Sequence, residues 1–251
     1  MVDDAVSDDA AINRATSFGR QAGAYDRGRP DYPAEAVEWM LSGVGSEVVD
    51  VGAGTGKLTR AVQATGRTVV AVDPDAAMLT TLLARSPDIR TLVGTAEKLP
   101  LHDASADAVV LGQAWHWVDA AVASREIARV LRPGGTIGLI WNIRDRSTPW
   151  VAEFAGMMEA SAGENLIEGV GPRVDEPFGP LESAQYSWTR ELSGEQLAEL
   201  ATSRSTVIAA SAAERAAILA EVHELADRVS DGHGTLHMPY VTHVFRATTP
   251  R

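Results

Sequence analysis

Three glycines stand at positions 52, 54 and 56, directly after the apolar run Val48-Val49-Asp50-Val51 and before Lys57. Glycine at the end of a buried strand lets the chain turn sharply and lets a ligand come against the backbone, because no Cβ intervenes. The flanking residues disfavour two ligands common at such turns. A phosphate loop requires glycine at position 51 and Ser or Thr after the lysine, where this chain carries Val51 and Leu58. A dinucleotide fingerprint requires Gly or Ala at position 57, and Lys57 would crowd the entrance of the following helix. A strand-to-helix turn that holds no ligand would use the same glycines.

Charge points to a third ligand. Asp50, two residues before Gly52, offers a carboxylate to an ammonium group, and Asp73, ending the run Val69-Val70-Ala71-Val72, offers another at the same sheet edge for ribose hydroxyls. S-adenosylmethionine carries both partners; the competing assignment for Asp73 is a helix N-cap. Gly52, Ala53, Gly54 and Gly56 would cradle this cofactor. Met78 would pack on the adenine ring, and Thr95, Ala96 and Glu97 of Gly94-Thr95-Ala96-Glu97-Lys98-Leu99-Pro100 would lie at its edge.

Methyl transfer from a sulfonium is an in-line displacement that asks the protein for alignment, water exclusion and sometimes proton removal, and it requires no metal. His116, in Gln113-Ala114-Trp115-His116-Trp117, is a candidate general base because an imidazole titrates near neutrality. The alternative is that it packs between Trp115 and Trp117, whose indoles would wall the acceptor pocket. Trp141, Asn142 and Arg144 are expected on the opposite wall, where Arg144 or Arg146 would pair an acidic acceptor; a solvated loop is the competing assignment. His233 and His237 are four apart in glycine-rich surroundings with no companion carboxylate motif, which argues against a metal site.

The 251 residues are 45% hydrophobic and 22% charged, a composition that suits one folded domain. A net charge of -12 repels phosphate backbones, so nucleic acid is a disfavoured partner; proteins and small molecules remain, of which a small-molecule methyl acceptor is expected. The protein itself would be a monomer or homodimer. Absence of cysteine removes disulfides, thiolate metal ligands and thiol nucleophiles. No apolar run reaches the roughly 20 residues of a membrane span, and Met1-Val2-Asp3-Asp4 lacks the pattern of a secretory signal, so a cytoplasmic location is expected.

The elements that must position these residues read as follows. Residues 1–9 are acidic and small and are expected to be disordered. Residues 10–45 would form an N-terminal lid and helices, including one from Pro33 to about Leu41. The cofactor-binding core, residues 46–142, alternates strand and helix: strands at Glu47–Val51, Thr68–Val72, Ile89–Gly94, Ala106–Leu111 and Thr136–Trp141, helices at Gly56–Thr65, Ala76–Ala84 and Ala120–Leu131. Arg132-Pro133-Gly134-Gly135 closes the last of these helices. Such alternation demands right-handed crossovers and a parallel sheet covered on both faces. Residues 143–251 would supply a substrate-side insertion and C-terminal strands. They read as a helix at Pro149–Ala160, a Gly/Pro-rich connection from Gly163 to Pro180, a strand at Gln185–Leu192, two helices in Ser193–Ser230 and a final strand at Thr235–Ala247. This order suggests a mixed sheet edge with one antiparallel strand.

With these residues in view, the sequence resembles the class I S-adenosylmethionine-dependent methyltransferases of the ubiquinone/menaquinone-biosynthesis-like and trans-aconitate-methyltransferase-like groups. The resemblance rests on Phe18, Ala22, Tyr25, Arg29-Pro30 and Tyr32-Pro33, the Asp50 to Gly56 turn, Asp73, Gly94 to Pro100, Gln113 to Trp117, and Leu131 to Gly135. It implies a Rossmann-like three-layer α/β sandwich, a mostly parallel seven-stranded sheet with one antiparallel C-terminal strand, and a donor site over the carboxyl ends of the first strands. It further implies an N-terminal segment that closes over the site, with Tyr25 and Arg29 near the methionine portion of the cofactor, Gln113 in the cofactor site and Phe18 on the acceptor side. Thr95 departs from the pattern, since relatives often place Asp there against the adenine amine. The expected activity is methyl transfer to an oxygen, carbon or nitrogen of a small molecule. The alternatives are a cofactor-binding protein without turnover and an NAD(P)-dependent oxidoreductase, the latter opposed by Lys57.

Overall fold

The computed structural model describes residues 29–158, 160–204, 207–208 and 210–251. In the first half, helix α1 (Ala34–Met40) precedes strand β1 (Glu47–Val51), α2 (Lys57–Gln63), β2 (Thr68–Asp73), α3 (Ala76–Arg85), β3 (Arg90–Val93), β4 (Ala106–Gly112), α4 (Ala120–Val130) and β5 (Leu131–Arg144). In the second half come α5 (Pro149–Gly156), α6 (Ala162–Glu168), β6 (Glu182–Leu192), α7 (Gly194–Thr202), α8 (Ala212–Val229) and β7 (Leu236–Thr248).

The seven strands form one sheet in the order β3-β2-β1-β4-β5-β7-β6. Strands β1 to β5 pair in parallel, whereas β7 lies between β5 and β6 and pairs antiparallel with both. It therefore runs against all the others, as the sequence suggested. The order reverses between β1 and β4. At such a switch point the crossovers leave in opposite directions and open a crevice beyond the strands' carboxyl ends.

Side-chain alternation along the strands builds the two faces. Val48, Val69, Ala108 and Val110 pack with Ala36, Val37 and Met40 of α1 and Leu58 and Val62 of α2. Their neighbours Val49, Val109 and Leu111 pack with Ala123, Ile127 and Val130 of α4. Because the strands are covered on both sides they read as continuous apolar runs, the signature of a buried parallel sheet. Ile127 is fully buried, so Ile127→Ala would cost about 2–5 kcal/mol in lost transfer energy and cavity. A separate cluster joins Val151 and Phe154 of α5, Leu197 and Leu200 of α7, Val222 and Leu225 of α8, and Met238 and Tyr240 of β7.

Three expectations need correction. Strand β5 reaches from Leu131 to Arg144 rather than from Thr136 to Trp141. The Arg132–Gly135 turn is a bulge inside it, where the register jumps between Ala106↔Leu131 and Ala108↔Thr136 and Gly134 takes φ 77°. The helix from Pro149 ends at Gly156 instead of Ala160, and the segment read as a connection from Gly163 contains most of α6. Ser161 caps α6 by accepting the Glu164 N–H, while the Glu164 carboxylate accepts the Ser161 N–H. This reciprocal capping box lets a short Gly-containing helix form.

Candidate active site

The glycine turn follows β1 and enters α2. Gly52, Gly54 and Gly56 all have positive φ, 68°, 55° and 84°, a region other residues enter at a cost. Their surroundings differ. A Cβ on Gly52 would lie 2.7 Å from the Ala114 Cβ, and one on Gly56 would lie 2.6 Å from the Leu82 Cγ, so both places are taken by packing. A Cβ on Gly54 would meet no atom of the described residues within 4 Å, so of the three this is the one whose backbone they leave open. The Gly52–Ala114 approach joins the end of β1 to the loop after β4 at the switch point. Lys57, which the sequence placed at the helix entrance, turns away to pair with Asp31 at 2.8 Å. Asp31 is largely exposed, so the pair adds little stability.

The two carboxylates occupy different environments. Asp50 is fully buried; its Oδ2 accepts the Thr59 hydroxyl at 2.6 Å, and its Oδ1 has no partner among the described residues. Burial pushes its carboxyl up to about 7, with the neighbouring Asp73 charge adding to the effect and the Thr59 hydrogen bond opposing it. A buried oxygen with no donor is the kind of group that a ligand ammonium satisfies. The Asp73 carboxylate accepts the Gly54 N–H through Oδ2 and the Asp75 N–H through Oδ1, both at 2.8 Å. It thereby pins the glycine turn to the end of β2. Each oxygen retains a second lone pair for a hydroxyl. The N-cap of α3 is Asp75, whose side chain accepts the Ala77 N–H, so the competing assignment for Asp73 is excluded.

At the adenine side Met78 is buried in α3, and Thr95-Ala96-Glu97-Lys98 forms a tight turn closed by a Thr95–Lys98 bridge. Ala96 is buried in the main core, and the Glu97 carboxylate accepts the Asp119 N–H at the start of α4. Thr95 and Glu97 are half-exposed and Lys98 is exposed.

On the other side of the switch point the chain leaves β4 through Gln113, which has φ 57°, a left-handed conformation uncommon for a side-chain-bearing residue. Its N–H donates to the Ile140 carbonyl, and its side-chain amide donates to the Asn142 carbonyl at 3.3 Å. Trp115 and Trp141, expected as pocket walls, are enclosed instead. The Trp115 indole donates to the Arg173 carbonyl and belongs to the core. Trp141 sits inside the elongated β5, fully buried edge-on to Phe245. Trp117, by contrast, is 48% exposed.

His116 is half-buried beside Trp117, and a Cβ on Gly163 of α6 would lie 3.1 Å from its ring. Burial, reinforced by the Arg29 charge, lowers its pKa to about 4, so the ring is neutral near pH 7. The Trp141 indole N–H points at its Nδ1 over 3.4 Å, which places the ring proton on Nε2.

Arg144 lies at the end of β5, within the strand rather than in a loop. Its Nη2 donates to Glu164 Oε1 at 2.6 Å, and Arg204 donates to Glu164 Oε2. Burial would raise the Glu164 carboxyl, but the Arg144 and Arg204 guanidinia overcome it and hold Glu164 well below the usual carboxylate range. Gln113, Asn142, Arg144, Glu164, Arg204 and Tyr240 line a chamber of about 20 Å³ together with Arg29 and Pro30. The same two residues also border an open cleft of about 460 Å³ that runs past Lys57, Arg85, Trp188 and Arg190.

The fold thus brings Gly52, Gly54, Asp50 and Asp73 to one side of the switch point and Gln113, Asn142 and Arg144 to the other. Phe18 and Tyr25 lie outside the described residues. Thr59, Glu164 and Arg204 escaped the sequence reading. Ser161-x-x-Glu164 was the detectable signal for one of them, whereas Thr59 and Arg204 meet their partners by tertiary folding alone. Among the described residues no group of His, Cys, Asp and Glu is arranged to hold a metal.

The comparisons agree with this architecture. Residues 49–139 match a methyltransferase domain model. An uncharacterized methyltransferase of Mycobacterium tuberculosis is 46% identical over 235 residues, spanning 92% of this chain and 95% of the relative. A further one from Schizosaccharomyces pombe is 32% identical over 233 residues, covering 87% and 90%. Among solved structures, a candidate type II methyltransferase from Anaeromyxobacter dehalogenans superposes with a TM-score of 0.68 at 24% identity, covering 89% of this chain and 99% of that one; this likeness concerns the fold.

Proposed function

The chain belongs to the class I S-adenosylmethionine-dependent methyltransferases, and we propose that it transfers the methyl group to an oxygen of a small molecule, with carbon and nitrogen as the alternative acceptor atoms. The observation that carries this reading is the juxtaposition at the switch point of a donor cradle and a polar acceptor wall. Asp50, with a buried oxygen lacking a donor among the described residues, and Gly54, whose backbone they leave open, fit an ammonium-bearing adenosine. Bound there, S-adenosylmethionine supplies an electrophilic methyl on a positively charged sulfur.

The chain's own residues have the remaining tasks. Asp50 attracts the amino group, Asp73 takes the ribose hydroxyls on its spare lone pairs, and Met78 and Thr95 flank the adenine. Gln113, held in its strained conformation, and Arg29 border the methionine end and the acceptor. Alignment of attacking atom, methyl carbon and sulfur is the chief source of rate in such a displacement. For His116, a donor role is the reading favoured over that of a base. With Trp141 donating to Nδ1, the neutral ring has its proton on Nε2 and serves as a hydrogen-bond donor to the acceptor. An acceptor atom that is already ionised needs no base, which favours a carboxylate or acidic hydroxyl oxygen.

Incubation with methyl-labelled donor and an extract of small metabolites, followed by separation of labelled products, tests this reading. An ester or ether product supports it. Label found solely in protein or nucleic acid overturns it.

A further inference from the structure

The chamber at the end of β5 holds an unbalanced set of charges. Of the described residues that line it, Glu164 is the one carboxylate, against Arg29, Arg144 and Arg204. Glu164 is already saturated: Oε1 accepts from Arg144, and Oε2 accepts from Arg204 and from the Ser161 N–H and hydroxyl, the last two at 2.8 Å. Burial, with the Arg144 charge next and the Glu164 charge opposing, makes Arg204 easier to deprotonate than an ordinary arginine. Arg144 is 5% exposed, and its Nη1 is buried without a hydrogen-bond partner among the described residues. A guanidinium that uses one arm of its fork on a neighbouring carboxylate and leaves the other unused has a vacant anion-directed donor.

Building on the methyltransferase reading above, we propose that Arg144 is the specificity-determining residue for the acceptor, its Nη1 anchoring a carboxylate of an anionic small molecule in the chamber. The group anchored is a carboxylate rather than a phosphate on grounds of size. The chamber of about 20 Å³ takes one small polar group, a water or the tip of a carboxylate. Arg144 Nη1 and the buried Tyr240 phenol are among the donors in its lining, which also includes Arg29, Arg204 and the Gln113 and Asn142 amides. Burial raises the phenol's pKa, which keeps its proton available for donation. Gln113 and Asn142 line the same chamber at the ends of β4 and β5, so an anchored acceptor extends toward the switch point, where the methyl group is presented. Glu164 acts as a positioning residue: its pair with Arg144 fixes the guanidinium so that Nη1 faces the chamber.

Calorimetry on the full chain saturated with S-adenosylhomocysteine tests the assignment, with the dicarboxylates from malonate to adipate and their diamides as probes. The expected result is that at least one diacid binds about tenfold or more tightly than its diamide, and that Arg144→Gln abolishes the preference. Arg144→Lys, which keeps the charge and one bond to Glu164, retains part of it; thermal melting identifies any variant that fails to fold. Equal binding of acids and amides, no binding by any diacid, or an undiminished preference in a folded Arg144→Gln protein would each overturn the proposal. So would a matching loss of S-adenosylhomocysteine affinity in Arg144→Gln, which would assign the arginine to the donor's own carboxylate. Failure of the wild-type protein to bind S-adenosylhomocysteine at all would strike the underlying reading instead.

Discussion

At the scale of single residues, Asp50 is the group whose state decides donor binding. Burial raises its pKa to about 7, so near neutrality a large fraction is protonated in the free protein. A ligand ammonium binds the carboxylate form, and the proton must leave before it can. Affinity for S-adenosylhomocysteine, which carries the same amino group, should therefore weaken as pH falls below about 7, by up to about tenfold per pH unit. Titrations in buffers of different ionisation enthalpy should register proton release, and Asp50→Asn should flatten the profile. An affinity independent of pH between about 5 and 8 in the wild-type protein would remove Asp50 from the amino-group contact. The same residue shows how sequence reading works best. Its type and its place two residues before Gly52 pointed to the chemistry, while the Thr59 hydroxyl that helps hold it came from the facing helix without any local signal.

Elements give a second set of expectations. The turn after β1 and the loop after β4 press together at Gly52 and Ala114, so Gly52→Ala should destabilise the fold by about 1–3 kcal/mol through both positive φ and steric overlap. Adding Ala114→Gly should restore the steric part and leave the backbone part, a cycle that denaturant unfolding resolves. Purely additive losses in the double variant would contradict the contact. Glu164→Ala tests the other end of the site: it strips the carboxylate from two buried guanidinia and should cost about 3–5 kcal/mol, with Glu164→Gln less severe. A loss below about 1 kcal/mol would show that solvent reaches the pair.

Strands β1 to β4 were legible because each is a short run ended by glycine or aspartate, and β1, β2 and β4 are each followed by a helix before the next strand. Past Asn142 that rhythm stops. Ile143 and Arg144 belong to β5 since β7 continues the ladder to Arg144↔Tyr240, a pairing fixed by residues about a hundred positions away. Helix α6 was hidden by its glycine and short length, and Trp141 was misplaced by the early end assigned to β5. The acceptor wall is thus the part of the site least written in local sequence: Arg144 meets Glu164 and Arg204 through tertiary contacts.

At the scale of the whole molecule, a chain with net charge -12 gathers Arg29, Lys57, Arg85, Arg144, Arg190 and Arg204 around two cavities that share Arg29 and Pro30. Among the described residues no helix is long and apolar enough to cross a membrane. The fold places its donor cradle at the reversal of strand order, and every assignment to the acceptor side depends on that placement. Calorimetric titration of S-adenosylhomocysteine and of NAD into the wild-type protein and Asp73→Ala examines it most directly. The account predicts that S-adenosylhomocysteine binds, that NAD does not compete, and that Asp73→Ala weakens binding by roughly 1–3 kcal/mol as charge-assisted hydrogen bonds are lost. Preferential binding of NAD, or an unchanged affinity for S-adenosylhomocysteine in a folded Asp73→Ala protein, would contradict it.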